Sequence, residues 1–356
     1  MTTAADRCPR CGQPNGCAVA AGAAPCWCFT LPPVGGASLP IADRRRAATG
    51  AQACLCRRCL MVAGAEPRQL QWSTGELTVN LGMDEVGAGA SVVLLPALSS
   101  IGTRGEMRGL LERLASHYLV RSVDWPGFGD QPRPRVDWSP VLLSAYLEWL
   151  LNELTPPHAL IAAGHAAGYA LQLCATRPGL IRRLVLIAPT WRGPLPTMMG
   201  GQRPWFARLR ALLDNRVLGP SLYRLNVSRA VIGLMAREHV YETPRWLQGP
   251  RLAAKLAVTR AVGARYASVR FVSGALDPVA SRAAFLELAR RAAVPILQVY
   301  GAQTPLRSCA EMQALAQLPE VRSLCLPHGR LAVHEEFPEQ VAAAVLPFLQ
   351  QGDAVN

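Results

Sequence analysis

Eight of the eleven cysteines fall within the first 60 residues, at separations that suit metal binding. Several are only one or two residues apart, and two thiolates at that separation can bind one tetrahedral zinc ion. No histidine precedes His117, so a metal site in this block would have thiolate ligands only and would be structural. The sequence predicts one or two structural zinc ions held by Cys8, Cys11, Cys17, Cys26, Cys28, Cys54, Cys56 and Cys59.

Other cysteine chemistries stay open for this block. Disulfides would need an oxidising compartment, and an iron–sulfur or redox site would use the same thiolates. Cys17 has no close partner other than Cys11, so a free structural thiol is the alternative for that residue. Zinc is favoured because a short block rich in Ala, Gly and Pro builds little hydrophobic core, and the metal's binding energy can replace that core.

A second pattern that could do chemistry is the turn from Gly164 to Gly168, which lies between a predicted strand and a predicted helix. A residue with a hydroxyl, a thiol or a comparable group in the middle of such a turn can attack a carbonyl carbon. The middle residue here is Ala166, which has no heteroatom, so we expect no covalent nucleophile. His165 and His334 are the candidates for a general base acting on water or substrate. For His165, a core histidine that only supports packing is the alternative.

The elements that position these residues begin near residue 69, where apolar runs of strand length alternate with stretches of helical length. The predicted strands are 76–81, 91–95, 119–124, 159–163, 183–188, 295–300 and 321–326. The predicted helices are 106–118, 140–153, 166–176, 308–317 and 335–350. This alternation is typical of an α/β fold with a mainly parallel sheet and helices on both faces.

Composition divides the chain into a cysteine-rich module at 1–66 and an α/β domain at 67–356, with a helical cap inserted at about 190–267. The cap contains Trp, Met and Arg residues and is expected to cover a pocket for a small apolar or acyl ligand. A protein partner held by the cap or by the N-terminal module is the other candidate. The residues expected to line the pocket are Leu98, Ser99, Trp125, Ala166 and Trp191.

The larger domain resembles the α/β-hydrolase fold from about residue 69 to 350. Val123–Asp130 resembles the turn after the fourth strand, residues 164–168 resemble the nucleophile elbow, and Glu335–Pro338 resembles the last helix. The resemblance implies a mainly parallel sheet with a helical cap and a nucleophile, an acid and a histidine at the end of the sheet.

At the positions that the resemblance assigns to this triad, the chain has Ala166, Thr304 and Leu331. None of the three carries the group that its role requires. The expected function is therefore non-catalytic binding. The alternative is a hydrolase or lyase that forms no covalent intermediate and uses a pocket histidine as the base.

The N-terminal block resembles the small bacterial cysteine-rich CWC family. The resemblance rests on Cys8–Gly12, Cys26–Phe29 and Cys54–Cys59. It supports the division of the chain near residue 66 and implies little about activity.

The formal net charge is +13, from 37 basic and 24 acidic residues. Lys255 is the only lysine, and the arginines are dispersed along the chain, which argues against a nucleic-acid partner. The basic amphipathic runs 205–213 and 222–238 leave peripheral contact with anionic lipid open. We find no apolar run long enough to span a membrane, no signal-peptide pattern and no dinucleotide-binding glycine loop. We therefore expect a cytoplasmic protein without an organic cofactor.

Overall fold

A mixed sheet of eight strands organises the α/β domain in the computed structural model. The structure describes residues 7, 8, 14, 15, 68–154 and 156–351. Almost all of the predicted cysteine-rich module, 1–66, lies outside the described residues.

The strands follow one another across the sheet in the order β1-β2-β4-β3-β5-β6-β7-β8. They are β1 (Arg68–Thr74), β2 (Leu77–Val86), β3 (Ser91–Leu95), β4 (Leu119–Val123), β5 (Ala159–Ala163), β6 (Arg183–Ile187), β7 (Ile296–Gly301) and β8 (Val321–Leu326). The β1–β2 and β2–β4 pairs are antiparallel, and the other neighbouring strands are parallel. The predicted mainly parallel sheet is confirmed. The prediction missed β1, an edge strand.

Helices cover both faces of the sheet and build the cap. They are α1 (Arg108–Leu114), α2 (Pro140–Glu153), α3 (Ala166–Thr176), α4 (Pro194–Met199), α5 (Trp205–Asp214), α6 (Leu218–Asn226), α7 (Arg229–Met235), α8 (Gly249–Thr259), α9 (Ala264–Val272), α10 (Arg282–Arg291), α11 (Leu306–Ala316), α12 (Val333–Glu336) and α13 (Pro338–Gln350). A 3₁₀ turn, Arg104–Met107, precedes α1, and a π-helical turn, Ala236–Val240, follows α7. No helix in the described ranges has both the length and the apolar character that crossing a bilayer requires.

Strands β3 and β5, in the middle of the sheet, are buried on both faces because nearly all of their residues are apolar. In β3, Val92 and Leu94 pack in one hydrophobic cluster, while Val93 and Leu95 pack in the cluster on the opposite face. All five residues of β5 are buried. The loop that follows β5 therefore starts from a fixed position in the core.

The cap lies between β6 and β7 and contains α4 to α9. It has a hydrophobic cluster of its own that includes Leu213, Tyr223 and Ile232. The predicted limits of the cap, 190–267, cover α4 to α8 and the beginning of α9.

We expect the α/β domain to fold when the chain starts at residue 67. Among the described residues, the buried members of the two clusters that flank the sheet all lie at or after Trp72, and together they pack against both of its faces. Circular dichroism of the shortened chain should give a single thermal transition with the near-ultraviolet signal preserved. Insoluble protein, or a compact state without near-ultraviolet signal, would mean that the two modules share a core.

Candidate functional site

A cavity of about 570 Å³ lies where the carboxyl ends of the parallel strands meet the cap. Ligands of open α/β sheets bind at this end because the strand-to-helix loops converge there. The lining comes from the loops after β3, β5, β6, β7 and β8 and from cap helices α4 and α7. It is mainly apolar, and its polar members include Glu106, His165, Tyr241 and His334.

The turn between β5 and α3 has Gly164 at its apex. β5 ends at Ala163, and Gly164 has a left-handed φ of +54° before the helix begins. Its carbonyl oxygen accepts hydrogen bonds from the amides of Ala167 (3.2 Å) and Thr190 (3.0 Å). A Cβ atom at Gly164 would lie 2.9 Å from the Cβ of Ala97. In a nucleophile elbow, the reactive residue occupies this sharp turn.

The structure corrects the predicted position of the elbow residue. Ala166 is the first residue of α3, is fully buried and does not line the cavity, whereas Gly164 does. The predicted position was wrong because the strand gives way to the helix at Gly164, two residues earlier than Ala166. Gly164, rather than Ala166, therefore occupies the sharp turn that faces the cavity.

Gly168 serves packing. A Cβ atom at this position would lie 2.6 Å from the Cγ of Pro278, so the missing side chain lets the segment after the cap approach α3 closely. That segment carries Asp277, whose Oδ1 accepts a hydrogen bond from the Gly193 amide at 2.8 Å. Burial raises the pKa of Asp277 to about 7, while the Gly193 hydrogen bond and the charge of Arg192 act in the opposite direction.

His165 lies in the cavity wall as a buried, neutral imidazole. Its Nε2 is 3.0 Å from the carbonyl oxygen of Leu276 and 3.5 Å from Oδ1 of Asp277. Because a carbonyl can only accept, Nε2 must carry the proton and Nδ1 the lone pair. Nδ1 is buried and has no hydrogen-bond partner among the described residues. Burial lowers the pKa of His165 to about 4 against the raising effect of the Leu276 bond.

The other two positions that the sequence resemblance assigned to a catalytic triad carry Thr304 and Leu331. Thr304 follows β7 and is buried, and no described residue hydrogen-bonds to its Oγ1. Leu331 follows β8 and lines the cavity with an aliphatic side chain. Between them they provide no carboxylate and no imidazole.

A buried polar cluster that the sequence analysis missed lies beside the cavity. Lys255 Nζ donates to Glu106 Oε1 and, at 3.2 Å, to Glu335 Oε2. Tyr241 Oη donates to the same Glu335 oxygen at 2.7 Å. Burial raises the pKa of Glu106 against the opposing charge of Lys255. Neighbouring His334 has no described partner for either ring nitrogen, and burial, reinforced by Lys255, lowers its pKa to about 3.

Two of the five residues predicted to line the pocket, Leu98 and Ser99, do line it. Trp125 does not, because its indole is buried beneath the loop after β3 and donates to the Pro96 carbonyl at 3.0 Å. Trp191 is turned away and donates to Glu311 at 3.0 Å. The fifth, Ala166, is the buried first residue of α3 and does not line the cavity.

The predicted zinc ligands fall almost entirely outside the described residues. Only Cys8 is described, and it is buried. Across the ranges that the structure does describe, no three His, Cys, Asp or Glu side chains are placed to hold a metal ion. The remaining predicted ligands are Cys11, Cys17, Cys26, Cys28, Cys54, Cys56 and Cys59.

Two family models match the chain. The model of the alpha/beta hydrolase family matches residues 92–344, and the model named cysteine-rich CWC matches residues 8–61. A pimeloyl-[acyl-carrier protein] methyl ester esterase of Aeromonas salmonicida is 26% identical over 288 residues, covering 76% of this chain and 100% of that protein.

Solved structures resemble the fold of the domain. A hydrolase from Pseudomonas aeruginosa PA01 superposes with a TM-score of 0.60 at 21% identity, over 79% of this chain and 98% of that one. The haloalkane dehalogenase DatA from Agrobacterium tumefaciens C58 superposes with a TM-score of 0.60 at 18% identity, over 80% of this chain and 97% of that one. At these identities the likeness concerns the fold alone.

Proposed function

Since the chain belongs to the alpha/beta hydrolase family, we propose that it uses the family's cavity to bind a small acyl or apolar molecule and forms no covalent intermediate with it. The observation that carries the proposal is Gly164 at the apex of the elbow. A glycine has no side chain that could attack a carbonyl carbon.

The cavity supports an acyl ligand by its size and chemistry. About 570 Å³ is within the range of small-molecule sites, and a mainly apolar wall suits a hydrocarbon chain. The relative from Aeromonas salmonicida is named for a methyl ester of an acyl group. By analogy, the ligand of this chain is an acyl ester or a related carbonyl compound.

We assign two backbone amides as the donors to the carbonyl oxygen of such a ligand. Leu98 and His165 both line the cavity, His165 directly after Gly164, and no described backbone carbonyl accepts a hydrogen bond from either amide. In a hydrolase, donors of this kind stabilise the charge that develops on the oxygen. Without a nucleophile, they orient a bound carbonyl.

We expect the purified chain to bind acyl esters without hydrolysing them. Displacement of a fluorescent apolar probe by methyl decanoate reports binding, and release of p-nitrophenol from p-nitrophenyl hexanoate reports turnover. Met235→Trp should fill the cavity and weaken binding at least about 10-fold, whereas Leu234→Trp, on the exposed side of the same helix, should not.

The same assays measure what a restored hydroxyl can do. We expect Gly164→Ser to stay close to the wild-type background, because Ala97 crowds its Cβ and no acid or histidine stands at Thr304 or Leu331. Absence of binding to any acyl ester would contradict the proposal. So would ester turnover above a heat-inactivated control.

A second candidate function follows from His165. Its lone pair on Nδ1 has no described partner and Nε2 is anchored, which is the arrangement of a general base acting on water without a covalent step. Since the neutral form is the active one and its pKa is about 4, such a rate would rise through pH 4. It would change again near pH 7, where Asp277, 3.5 Å from Nε2, ionises. Ester turnover with this profile that disappears in His165→Ala would establish the hydrolase function.

A further inference from the structure

The outer face of cap helix α6 carries an apolar stripe that the fold does not cover. Leu218, Leu222 and Leu225 are spaced i, i+4 and i+7, and 54%, 36% and 69% of their surfaces are exposed. Gly219 and Tyr223 directly follow Leu218 and Leu222, about 100° further around the helix, and they are buried. The helix thus has two apolar faces, and only one of them serves the core of the cap.

The neighbouring helix α5 repeats this arrangement. Trp205 and Leu212 are seven residues apart and 44% and 41% exposed, while Phe206 and Leu213 point inward. The two helices lie close together, since a Cβ at Gly219 in α6 would be 2.2 Å from the carbonyl oxygen of Leu213. Val217, in the link between them, is 80% exposed. The two adjacent helices and their link therefore expose six large apolar side chains, Trp205, Leu212, Val217, Leu218, Leu222 and Leu225, and such a concentration on a folded domain marks an interaction surface.

Positive charge is concentrated on the same part of the chain. Residues 194–272 contain 13 basic and three acidic residues, so the cap carries ten of the thirteen net positive charges. Arg208, Arg216 and Arg224 are exposed and flank the apolar stripes. No carboxylate of the described residues forms an ion pair with them. A second copy of this chain would bring these arginines against one another, which disfavours a dimer through this face.

Beyond ligand binding, we propose that the α5–α6 face of the cap binds the surface of an anionic phospholipid bilayer. Leucine and tryptophan side chains on one face, bordered by arginines, are the composition of helices that lie in the membrane interface. The aliphatic stems of the arginines can run along the apolar layer while their guanidinium groups reach the phosphates. This contact is peripheral and needs no spanning segment.

The test is sedimentation of the full-length protein with vesicles. One set contains phosphatidylcholine and phosphatidylglycerol at 7:3, and the other contains phosphatidylcholine alone. We expect binding to the anionic vesicles to be at least about 10-fold tighter than binding to the neutral ones. Binding to the anionic vesicles should weaken as the salt concentration rises from about 0.1 to 0.5 M, because salt screens the attraction between the arginines and the lipid phosphates. Arg216→Gln with Arg224→Gln should weaken it about 25-fold, at about five-fold for each arginine.

The apolar contribution is tested by replacing Leu218, Leu222 and Leu225 together with serine. These side chains are exposed, so the variant should keep its circular dichroism spectrum, and it should bind anionic vesicles at least about 10-fold more weakly. Val141→Ser is the matched control, because Val141 is 77% exposed but lies on α2, outside the cap. That variant should bind as the wild type does.

Failure of the wild-type protein to sediment with either vesicle would overturn the proposal. The occupant of the face would then be an acidic protein or a second copy of this chain. Equal binding to neutral and anionic vesicles would overturn it as well. So would cap variants that bind like the Val141→Ser control. None of these outcomes depends on whether the cavity binds or hydrolyses an ester, so they test the membrane contact separately from the proposed function.

Discussion

Full-length protein purified under reducing conditions is expected to contain one or two zinc ions, which a strong chelator removes together with the structure of residues 1–60. Thiolates one or two residues apart chelate a tetrahedral ion. In small zinc modules this binding supplies about 10–16 kcal/mol, which is the folding free energy of the module. Elemental analysis gives the metal content, and hydrogen exchange before and after chelation locates the loss of order.

Two cysteine substitutions sharpen this zinc prediction. Cys56→Ser should lower the zinc content, whereas Cys325→Ser, an exposed cysteine on β8, should leave it unchanged. Protein without zinc or iron but with disulfides mapped among the eight N-terminal cysteines would contradict the prediction. It would also contradict the predicted cytoplasmic location, since disulfides persist in oxidising compartments.

Lys255→Met is expected to lower the free energy of unfolding of the α/β domain by about 3–5 kcal/mol. Lys255 in α8 of the cap is the cation between Glu106, beside α1, and Glu335, in α12. Removing it leaves a carboxylate buried without its partner, and the cost of that exceeds the value of the pair itself. Urea unfolding measures the loss. The matched control is Arg177→Met, which removes an exposed ion pair with Glu148 and should cost less than about 1 kcal/mol.

The pH dependence of this loss tests its cause. The pKa of Glu106 is raised in the native state, so the native state keeps a proton that the unfolded chain releases above about pH 4.5. The free energy of unfolding therefore falls as the pH rises above about 4.5, until Glu106 ionises in the native state as well. Without Lys255, the pKa of Glu106 rises further and the fall continues to higher pH. The loss should therefore be smaller at pH 5 than at pH 8, and Glu106→Gln added to Lys255→Met should restore part of it. A decrease in the free energy of unfolding that depends neither on pH nor on the second substitution would instead indicate lost packing.

The sheet could be predicted because its central strands are short apolar runs between turns. Strands 91–95, 159–163 and 321–326 were predicted with the bounds that the structure has. The sequence did not predict β1 because Arg68–Thr74 is an edge strand of mostly polar residues, in which Trp72 is the only buried residue. An edge strand needs only one face and one neighbour, so it lacks the apolar run that marks the others.

The site could be predicted only in part. The spacing of glycines suggested Ala166 as the elbow residue, although the predicted strand end at 163 and helix start at 166 already placed the turn at Gly164 and His165. The contacts between Lys255, Glu106 and Glu335 join segments that are distant in the chain, and no local pattern encodes them. The one signal was that Lys255 is the sole lysine among many arginines.

Gly164 also determines how long a ligand would stay. In a hydrolase with a covalent nucleophile, a bound ester disappears at the rate of acylation, so occupancy reports turnover. No ester can acylate a glycine, so in the proposed binding role the complex ends only by dissociation, and its lifetime is the reciprocal of the off-rate. Occupancy would then follow the concentration of the free ester at equilibrium, which is the behaviour of a sensor or a carrier.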